Sequence, residues 1–517
     1  MSASRRKLIL CVVDSLDTVM LERAIDADAA PTFRKLIERG TLIRDCVSTF
    51  PSVTPVACSE IATGVGPDRH WVSGMNWYHR VERRYVEYGS SLEATRAFGL
   101  FRTLYDTVYN MNMAHLSHEV ETIFERLGDA GVRTACTPFL IYRGRHRHEL
   151  GLEGLLRRMA EAAKFHHAVW GPDELFYGEL YASRKVPCRP TLARPGTRDE
   201  YSACVGVELV EQDLYDFLLL GLPDNDYHSH RVGPGESIES ISHADACFER
   251  LVEAGGGIDA FLAENAVILL ADHSQVDVDW PLPLTEALGE EWRVLQPNSD
   301  RPQDAELAVS PTSRAGYVYV LEDGRRHARS HAAVRERLRE LSGVDLIGWV
   351  SAGDGTPVER MGVGAPLGED LEAVVQSDAG DLIFRPGPGV EDRRGGRWDI
   401  DGELDVLDAE IRDGRFESES YPDALARLWS ALTAPHAGDV VCSLAKGYEC
   451  VDWGGASHVG GGSHGSLHAG DSLGPLLLVG LDPEVGERHE QWTLRDISGL
   501  VLEHFGVGAE AEMAAVR

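Results

Sequence analysis

Three short hydrophobic runs, each leading into an aspartate, stand out along the chain. They cover residues 8–13, 217–222 and 266–271, and they lead into Asp14, Asp224 and Asp272. An unbroken apolar run of this length is typical of a strand whose two faces are both covered, as in a parallel sheet. Because α/β sheets bind ligands at the carboxyl ends of their strands, we expect the three carboxylates at one functional edge.

Helical patterns alternate with these runs, for example at residues 30–40, 119–131 and 236–254. The alternation predicts an α/β fold with a mostly parallel central sheet sandwiched between helices. Between residues 280 and 438 the pattern weakens, and short alternating strands mix with helices and polar turns. We therefore predict a core of residues 1–279 and 439–517, a small aromatic insertion at about 71–113, and an inserted cap or accessory region at 280–438.

The segment from Phe50 to Gly64 predicts a helix with a hydroxyl at its start. Thr54 has the side chain of a good N-cap, Pro55 suits the first helical position, and Gly64 suits the left-handed residue just past the end. A helix N-terminus offers unpaired N–H groups and a positive dipole end, so an anion such as phosphate binds there. Thr54 could cap the helix, as most threonines in this position do, or it could attack the bound anion.

The amino-acid composition and net charge limit the kinds of molecule that the protein can bind. The chain has 517 residues, 43% hydrophobic and 26% charged, as in a globular soluble protein, and its net charge is −33. Such a charge repels nucleic acid and anionic membranes, so an anionic substrate needs metal ions or clustered arginines at its site. No segment approaches the roughly 18 apolar residues of a membrane span. The nine cysteines form no Cys-x-x-Cys pair, which predicts free thiols and a cytoplasmic location.

Histidines accompany the strand-ending aspartates. Asp224 precedes His228 by four residues, Asp272 is followed by His273, and His464 lies in a glycine-rich loop. Aspartate and histidine together suit zinc or a similar divalent ion. An isolated Asp-His dipeptide is usually a solvated strand end, but the joint occurrence at successive strand ends favours a metal site. His230, His458 and His468 are alternative ligands.

In this order the motifs resemble the alkaline phosphatase superfamily, on its type I phosphodiesterase/nucleotide pyrophosphatase branch. The resemblance rests on Asp14, the Phe-Pro-Ser-Val-Thr segment at 50–54 with Thr63-Gly64, the Asp224/His228 pair, Asp272-His273 and His464-Gly465. Residues 67–70 and the segment from Arg495 to Gly506 also match the family, whereas residues 280–438 contribute nothing to it.

The resemblance implies an alkaline-phosphatase-like fold and two divalent metal ions, with zinc the expected identity. One ion would be held by Asp224, His228 and His464. The other would be held by Asp14, Asp272, His273 and the Thr54 oxygen. Thr54 would be the nucleophile, because zinc lowers the pKa of a bound hydroxyl, and a phosphothreonine would form and be hydrolysed. Asn76 would contact the phosphate, although it falls one position late, with Met75 in the family's place.

The expected substrate is a small phosphorylated molecule, such as a nucleotide or another phosphodiester. The arginine that binds phosphate in the superfamily's monoesterases has no counterpart here, which favours diesters. A phosphomonoesterase or a carbon–phosphorus hydrolase on the same site is the nearest alternative. A structural metal-binding protein is the alternative from another class, and Thr54 at the helix start argues against it.

Three further motifs can be interpreted either as functional sites or as ordinary structural elements. Residues 461–465 match the G-x-S-x-G elbow of serine hydrolases, but His464 as a metal ligand explains this loop better. The acidic run at 399–413 could bind calcium, yet it lacks the EF-hand pattern and fits a solvated hairpin. The basic cluster at 143–148 fits a solvated loop better than a contact to a substrate anion.

Overall fold

The computed structural model describes residues 6–151, 158, 167–178, 180–188, 197–299, 301–360 and 370–508. A main sheet of eight strands forms the centre of the fold. Its strands are β1 (Lys7–Val13), β2 (Gly40–Val47), β5 (Thr134–Cys136), β8 (Glu174–Tyr177), β9 (Tyr181–Ala182), β10 (Phe217–Leu222), β11 (Asn265–Leu270) and β24 (Leu473–Val479). They lie in the order β2-β24-β11-β1-β10-β5-β8-β9.

The five strands from β11 to β8 are parallel, and the strands at the two edges are antiparallel. In β1 the side chains alternate between two hydrophobic cores, with Leu8 and Leu10 on one face and Ile9 and Cys11 on the other. Both faces are therefore buried, which is why the strand reads as a continuous apolar run. The predicted mostly parallel α/β sheet between helices is confirmed.

Helices cover both faces of the main sheet. The α-helices of the described residues are α1 (Thr18–Asp26), α2 (Pro31–Ile37), α3 (Thr54–Thr63), α4 (Pro67–His70), α5 (Leu92–Phe98), α6 (Leu100–Tyr105), α7 (Ile123–Asp129), α8 (Arg198–Glu211), α9 (Asp224–Val232), α10 (Ile238–Ala254), α11 (Ile258–Glu264), α12 (Leu284–Gly289), α13 (Gly324–Glu340), α14 (Ala424–Thr433), α15 (Ala469–Ser472) and α16 (Arg495–His504). A π-helix covers Asp106–His115. Helices α3, α7 and α16 pack on one face, and α1, α2, α8, α10 and α11 pack on the other.

A second sheet of nine strands lies within residues 307–444. Its strands are β13 (Leu307–Thr312), β14 (Ala315–Val320), β15 (Val344–Ala352), β16 (Leu371–Ser377), β17 (Gly380–Asp392), β18 (Arg397–Gly402), β19 (Ala409–Arg412), β20 (Arg415–Ser418) and β21 (Val440–Leu444). The sequence pattern assigns residues 439–444 to the main sheet, but β21 lies between β14 and β15 of the second sheet. A short buried strand has the same apolar pattern in either sheet, so periodicity alone does not distinguish them.

Smaller elements connect the two sheets. Strand β12 (Val276–Leu282) pairs with β22 (Gly447–Cys450) and β23 (Gly462–Ser463). Strands β3 (Asn76–His79) and β4 (Arg84–Glu87) form a hairpin in the predicted aromatic insertion, and β6 (His146–His148) pairs with β7 (Val169–Gly171). The hairpin packs against the second sheet, where the Tyr85 hydroxyl accepts the Val309 N–H and Arg80 pairs with Asp439.

The cysteines differ from the prediction. Cys188 and Cys204 form a disulfide, whereas the other seven are buried free thiols. The prediction that every cysteine is free is therefore wrong for this pair, which lies 16 residues apart in sequence and has no Cys-x-x-Cys signature. Within the described part of the chain, no helix is long and apolar enough to cross a membrane.

Candidate active site

Helix α3 brings a hydroxyl to the carboxyl end of the main sheet. The helix begins at Thr54, and Val53 is its N-cap residue, so the predicted N-cap role of Thr54 is wrong. Gly64 ends the helix in the left-handed conformation, as predicted, with φ 78°. The Thr54 hydroxyl is free of the helix end and lies 3.2 Å from His273 Nε2. The hydroxyl therefore faces the carboxyl ends of the main-sheet strands, the edge at which α/β sheets bind ligands.

Asp14, Asp272 and His273 form the first group of polar side chains around this hydroxyl. His273 Nε2 lies 3.8 Å from Asp14 Oδ1 and 3.4 Å from Asp272 Oδ2. The three side chains can place one atom each within 4.8 Å of the others, as the ligands of one cation do. The strand β1 delivers Asp14, and the loop after β11 turns Asp272 and His273 towards the same point.

Asp226, His230 and His464 form the second group, in which ligand atoms of Asp226 and His464 lie within 4.8 Å of each other and of His273, while His230 adjoins them through Asp226. Asp226 Oδ1 lies 3.4 Å from His230 Nε2 and 3.7 Å from His464 Nε2. The same oxygen accepts hydrogen bonds from the Ser15 hydroxyl and the Gln275 amide, both at 2.7 Å. The ring centroids of His464 and His273 are 3.8 Å apart, so the two groups adjoin one another.

Asp224 and His228, the predicted ligands, lie outside both groups. Asp224 pairs with Arg198, and His228 Nε2 lies 3.3 Å from the Glu236 carbonyl oxygen. The Asp-x-x-x-His spacing occurs twice here, at 224/228 and 226/230, with the pairs offset by two residues. An offset of two residues rotates a helical side chain by about 200°, so only one pair can turn towards Asp14 and His273. The structure brings Asp226 and His230 there, and it leaves the predicted pair, Asp224 and His228, outside both groups.

Burial and charge set the protonation of the site. Burial lowers the pKa of each of His230, His273 and His464 to about 4, so the rings are neutral near pH 7, the form that binds metal. Burial and the neighbouring carboxylates raise the pKa of Asp14 well above its usual range. Burial also raises the pKa of Asp272, to about 6. These two carboxyl groups resist ionisation in the absence of a cation.

Asp226 shows the opposite balance. Burial, the largest single influence, would raise the pKa of Asp226, but the adjacent imidazoles and the Ser15 hydroxyl hold it well below its usual range. A permanently ionised carboxylate between two neutral imidazoles is a ready ligand set for a divalent cation.

The protein fits a metal at both groups. Asp14 Oδ1 and Asp272 Oδ2 are buried and have no hydrogen-bond partner among the described residues. The second ring nitrogens of His230 and His464 lie 2.7 Å from the carbonyl oxygens of Gly462 and Ser52. Such second contacts fix the tautomer and orientation of metal-binding histidines, leaving the other nitrogen free for the ion.

The loop that carries His464 is held by the second sheet. Arg314 is fully buried, pairs with Asp471, and donates its backbone N–H to the His464 carbonyl at 2.8 Å. Asp471 accepts the Ser466 N–H at 2.8 Å on the other side of the loop. Gly465 has φ 116°, and a Cβ there would approach the Thr312 carbonyl oxygen to 2.9 Å. The β13–β14 hairpin therefore determines where His464 stands.

The other predicted groups take structural positions. Asn76 is buried and donates to the Pro311 carbonyl, while its amide oxygen has no partner among the described residues. His468 accepts the Gly470 N–H at the start of α15. His458 stacks on His230 with centroids 4.0 Å apart and pairs with Glu449 at 2.7 Å, so it adjoins the site behind a proposed ligand.

Two of the three further motifs make contacts within the protein, and Arg143 of the basic cluster is buried, which corrects the expectation of a wholly solvated loop. Ser463 of the G-x-S-x-G match lies in β23 and donates to Glu449. In the basic cluster, Arg143 pairs with Glu125 and the backbone, Arg145 with three acids, and Arg147 with Glu149. Within the described residues, none of the groups able to hold a cation includes an acid from 399–413.

Comparisons with known proteins identify the family of this chain and structures with a similar fold. The sequence profile of the family described as type I phosphodiesterase/nucleotide pyrophosphatase matches residues 8–390. Phosphonoacetate hydrolase from Sinorhizobium meliloti 1021 has a similar structure, with a TM-score of 0.54 and 16% identity over 97% of this chain and 96% of that one. Murine ectonucleotide pyrophosphatase/phosphodiesterase 5 is also similar, with a TM-score of 0.56 and 12% identity over 98% and 96%. A comparison with curated protein sequences finds no match.

Proposed function

Because this chain belongs to the type I phosphodiesterase/nucleotide pyrophosphatase family, we propose that it is a metal-dependent phosphodiesterase or nucleotide pyrophosphatase with Thr54 as its nucleophile. The chain is a hydrolase of phosphoric ester or phosphoanhydride bonds. The observation that carries the finer proposal is the Thr54 hydroxyl, 3.2 Å from His273 at the start of a helix whose first residues are buried. A structural metal site needs no hydroxyl in this position.

We infer two divalent cations, with zinc the best match to the aspartate and histidine ligands. One would be held by Asp226, His230 and His464, and the other by Asp14, Asp272, His273 and the Thr54 oxygen. When bound, such ions lower the pKa of a coordinated hydroxyl and offset the charge of a phosphoryl group.

The residues then divide the reaction into two steps. Thr54 Oγ attacks phosphorus, its P–O bond forms as the bond to the leaving group breaks, and a phosphothreonine results. Water then attacks that phosphorus and releases Thr54 with its hydroxyl restored. The N-terminal dipole of α3 favours the anion throughout. The lowered pKa values of His230, His273 and His464 keep these three rings neutral and able to bind metal. Asn76 stays a proposed phosphate contact only through the NH₂ group of its amide, which in this structure donates to the Pro311 carbonyl.

The proposed substrate is a small phosphorylated molecule, a nucleotide or another phosphodiester. A phosphonate hydrolase is the second candidate, favoured by the structural similarity to phosphonoacetate hydrolase, which acts on a carbon–phosphorus compound. A cytoplasmic location stays a prediction from cysteine usage, and the Cys188–Cys204 disulfide argues against it.

Hydrolysis of bis-p-nitrophenyl phosphate, p-nitrophenyl phosphate and phosphonoacetate by the zinc-loaded protein tests the proposal. The diester should be preferred, and Thr54→Ala should lower kcat by at least about 10³-fold while leaving the metal content unchanged. Thr63→Ala is the matched control, because Thr63 lies at the other end of the same helix and its hydroxyl donates to the Ser59 carbonyl. Full activity in Thr54→Ala would refute the nucleophile, and a preference for phosphonoacetate would select the second candidate.

A further inference from the structure

Arg198 stands beside the active site without belonging to either ligand group. It is the first residue of α8, and its Nε donates to Asp224 Oδ1 at 3.1 Å while Nη2 donates to the Pro223 carbonyl at 3.4 Å. Pro223 and Asp224 follow β10 directly and lead into Asp226. The guanidinium group therefore lies at the carboxyl end of the main sheet, on the same edge as the proposed metal ligands.

The support for Arg198 is rigid. Asp224 Oδ2 accepts the Asp199 N–H at 2.9 Å, and Asp199 Oδ1 accepts the Asp224 N–H at 3.0 Å. Each aspartate thus satisfies the first turn of the other's helix, which fixes the carboxylate that holds Arg198. Asp199, Asp224 and His243 also lie close enough to hold a cation. However, both oxygens of Asp224 and one of Asp199 are already used in these contacts, so the group serves Arg198 instead.

One edge of the guanidinium remains available to a ligand. The contacts to Asp224 and Pro223 use Nε and Nη2, and no group of the described residues pairs with Nη1. The Arg198 side chain is 43% exposed, so solvent and small molecules reach it. Its charge also acts on the site, because it lowers the pKa of Asp14 against the opposing effect of burial.

Because the protein is strongly acidic, binding of an anionic substrate requires a positively charged group such as Arg198 near the site. The net charge is −33, and the arginines of the basic cluster at 143–148 are occupied by acids or carbonyls. Metal ions can offset the charge of the phosphoryl group under attack, but a second anionic group on the substrate would still face Asp14, Asp226 and their neighbours. A planar guanidinium presents paired N–H donors that match the two oxygens of a carboxylate or phosphate.

We propose that Arg198 binds a second anionic group of the substrate, a carboxylate or a phosphate attached a few bonds from the phosphorus that Thr54 attacks. The inference rests on the proposed function, because it names a substrate class for the same site. The class comprises phosphoryl compounds that carry another oxyanion, such as diphosphates and carboxylated phosphonates. Simple diesters with neutral substituents would bind without this contact.

Isothermal titration calorimetry with three small ligands tests the proposal without turnover. The zinc-loaded protein, in a Thr54→Ala background, is titrated with methylphosphonate, phosphonoacetate and methylenediphosphonate, which differ in having no second anion, a carboxylate or a phosphonate. At least one of the latter two should bind about tenfold or more tightly than methylphosphonate, because a charge-assisted contact is worth that much. Arg198→Gln should abolish this advantage, and Arg198→Lys should keep part of it. The ligand whose advantage disappears identifies the anion.

Arg133→Gln is the matched control, because Arg133 is 44% exposed and pairs with Asp213 and Asp216 near the start of β10, at the opposite end of the sheet. It should keep the wild-type affinities. Retained methylphosphonate binding in Arg198→Gln shows that this variant is folded with its site intact. Equal affinities for the three ligands, or an unchanged advantage in Arg198→Gln, would overturn the inference. Failure of the proposed function is a separate result, namely no hydrolysis of bis-p-nitrophenyl phosphate by the protein with Thr54 present.

Discussion

Replacing Asp272 with asparagine should stabilise the metal-free protein and weaken its binding of metal. Asp272 Oδ1 accepts the backbone N–H groups of Ser15 and His273 at 3.1 and 3.0 Å, and the asparagine oxygen can keep both. Asp272 Oδ2 is buried without a partner among the described residues, as is Asp14 Oδ1. The asparagine NH₂ group would stand in this position and donate to Asp14, which removes one buried charge and satisfies another group.

The size of the effect follows from the pKa of Asp272. Burial raises this pKa from 3.8 to about 6 in the folded protein. A raised pKa means that the folded state binds the proton more tightly than the unfolded state, so stability falls as pH rises from about 4 through 6. Above pH 6 the loss of stability caused by the buried Asp272 charge is constant. It amounts to about 3 kcal/mol, because the pKa values of the folded and unfolded states differ by about two units, at 1.36 kcal/mol each. Asp272→Asn removes this cost, so the gain should be near 3 kcal/mol at pH 7 and absent at pH 4.

Thermal and denaturant unfolding in EDTA, at pH 4, 5, 6 and 7, measures the gain. The order should reverse when zinc is added, because a cation at about a thousand times its Kd stabilises the wild type by about 4 kcal/mol and the variant has lost a ligand. Asp216→Asn is the control, since hydrogen bonds from Arg133 hold the pKa of Asp216 below its usual range despite partial burial, and this substitution should destabilise. A metal-free Asp272→Asn protein less stable than the wild type at pH 7, or an equal gain at pH 4, would refute the reasoning.

Two further predictions concern the ligands and their support. Asp226→Asn and His230→Ala should each release one of two zinc ions by elemental analysis, whereas Asp224→Asn and His228→Ala should retain both; the reverse pattern would restore the sequence assignment. Arg314→Met should cost about 3–5 kcal/mol of unfolding free energy, because it leaves Asp471 as an unpaired buried carboxylate. The double variant with Asp471→Asn should cost less than the two single substitutions together, and strictly additive costs would show that the pair does not interact.

The strands of the main sheet could be predicted from the sequence because they are buried on both faces. Runs such as 217–222 have no polar positions that could suggest another element, and each ends at a residue that closes the strand. The same property made residues 439–444 ambiguous, because an apolar strand of the second sheet looks identical in sequence. Only the pairing partners of β21, namely β14 and β15, decide the sheet, and both strands are distant from it in sequence.

The order of the motifs predicted the site, but it did not predict every residue of the site correctly. Each single motif was ambiguous, but their joint order selected Thr54, Asp14, Asp272, His273 and His464, and the structure brings these side chains together. The Asp-x-x-x-His motif occurs in two registers, and the choice depends on the rotation of α9 and on the Arg198–Asp224 pair. No sequence motif pointed to Arg198 as a functional residue. It is a single arginine at the start of a helix, and its partner Asp224 lies 26 residues away in sequence.

The buried Arg314–Asp471 pair links the second sheet to the loop that carries His464. The pair and the β13–β14 hairpin lie at the edge of the second sheet next to the site, while β16 to β20 extend from the opposite side of β15. The contacts described for Arg314 and for the Gly465 backbone involve none of these five strands. Changes in the length of β16 to β20 should therefore disturb His464 less than changes in the β13–β14 hairpin.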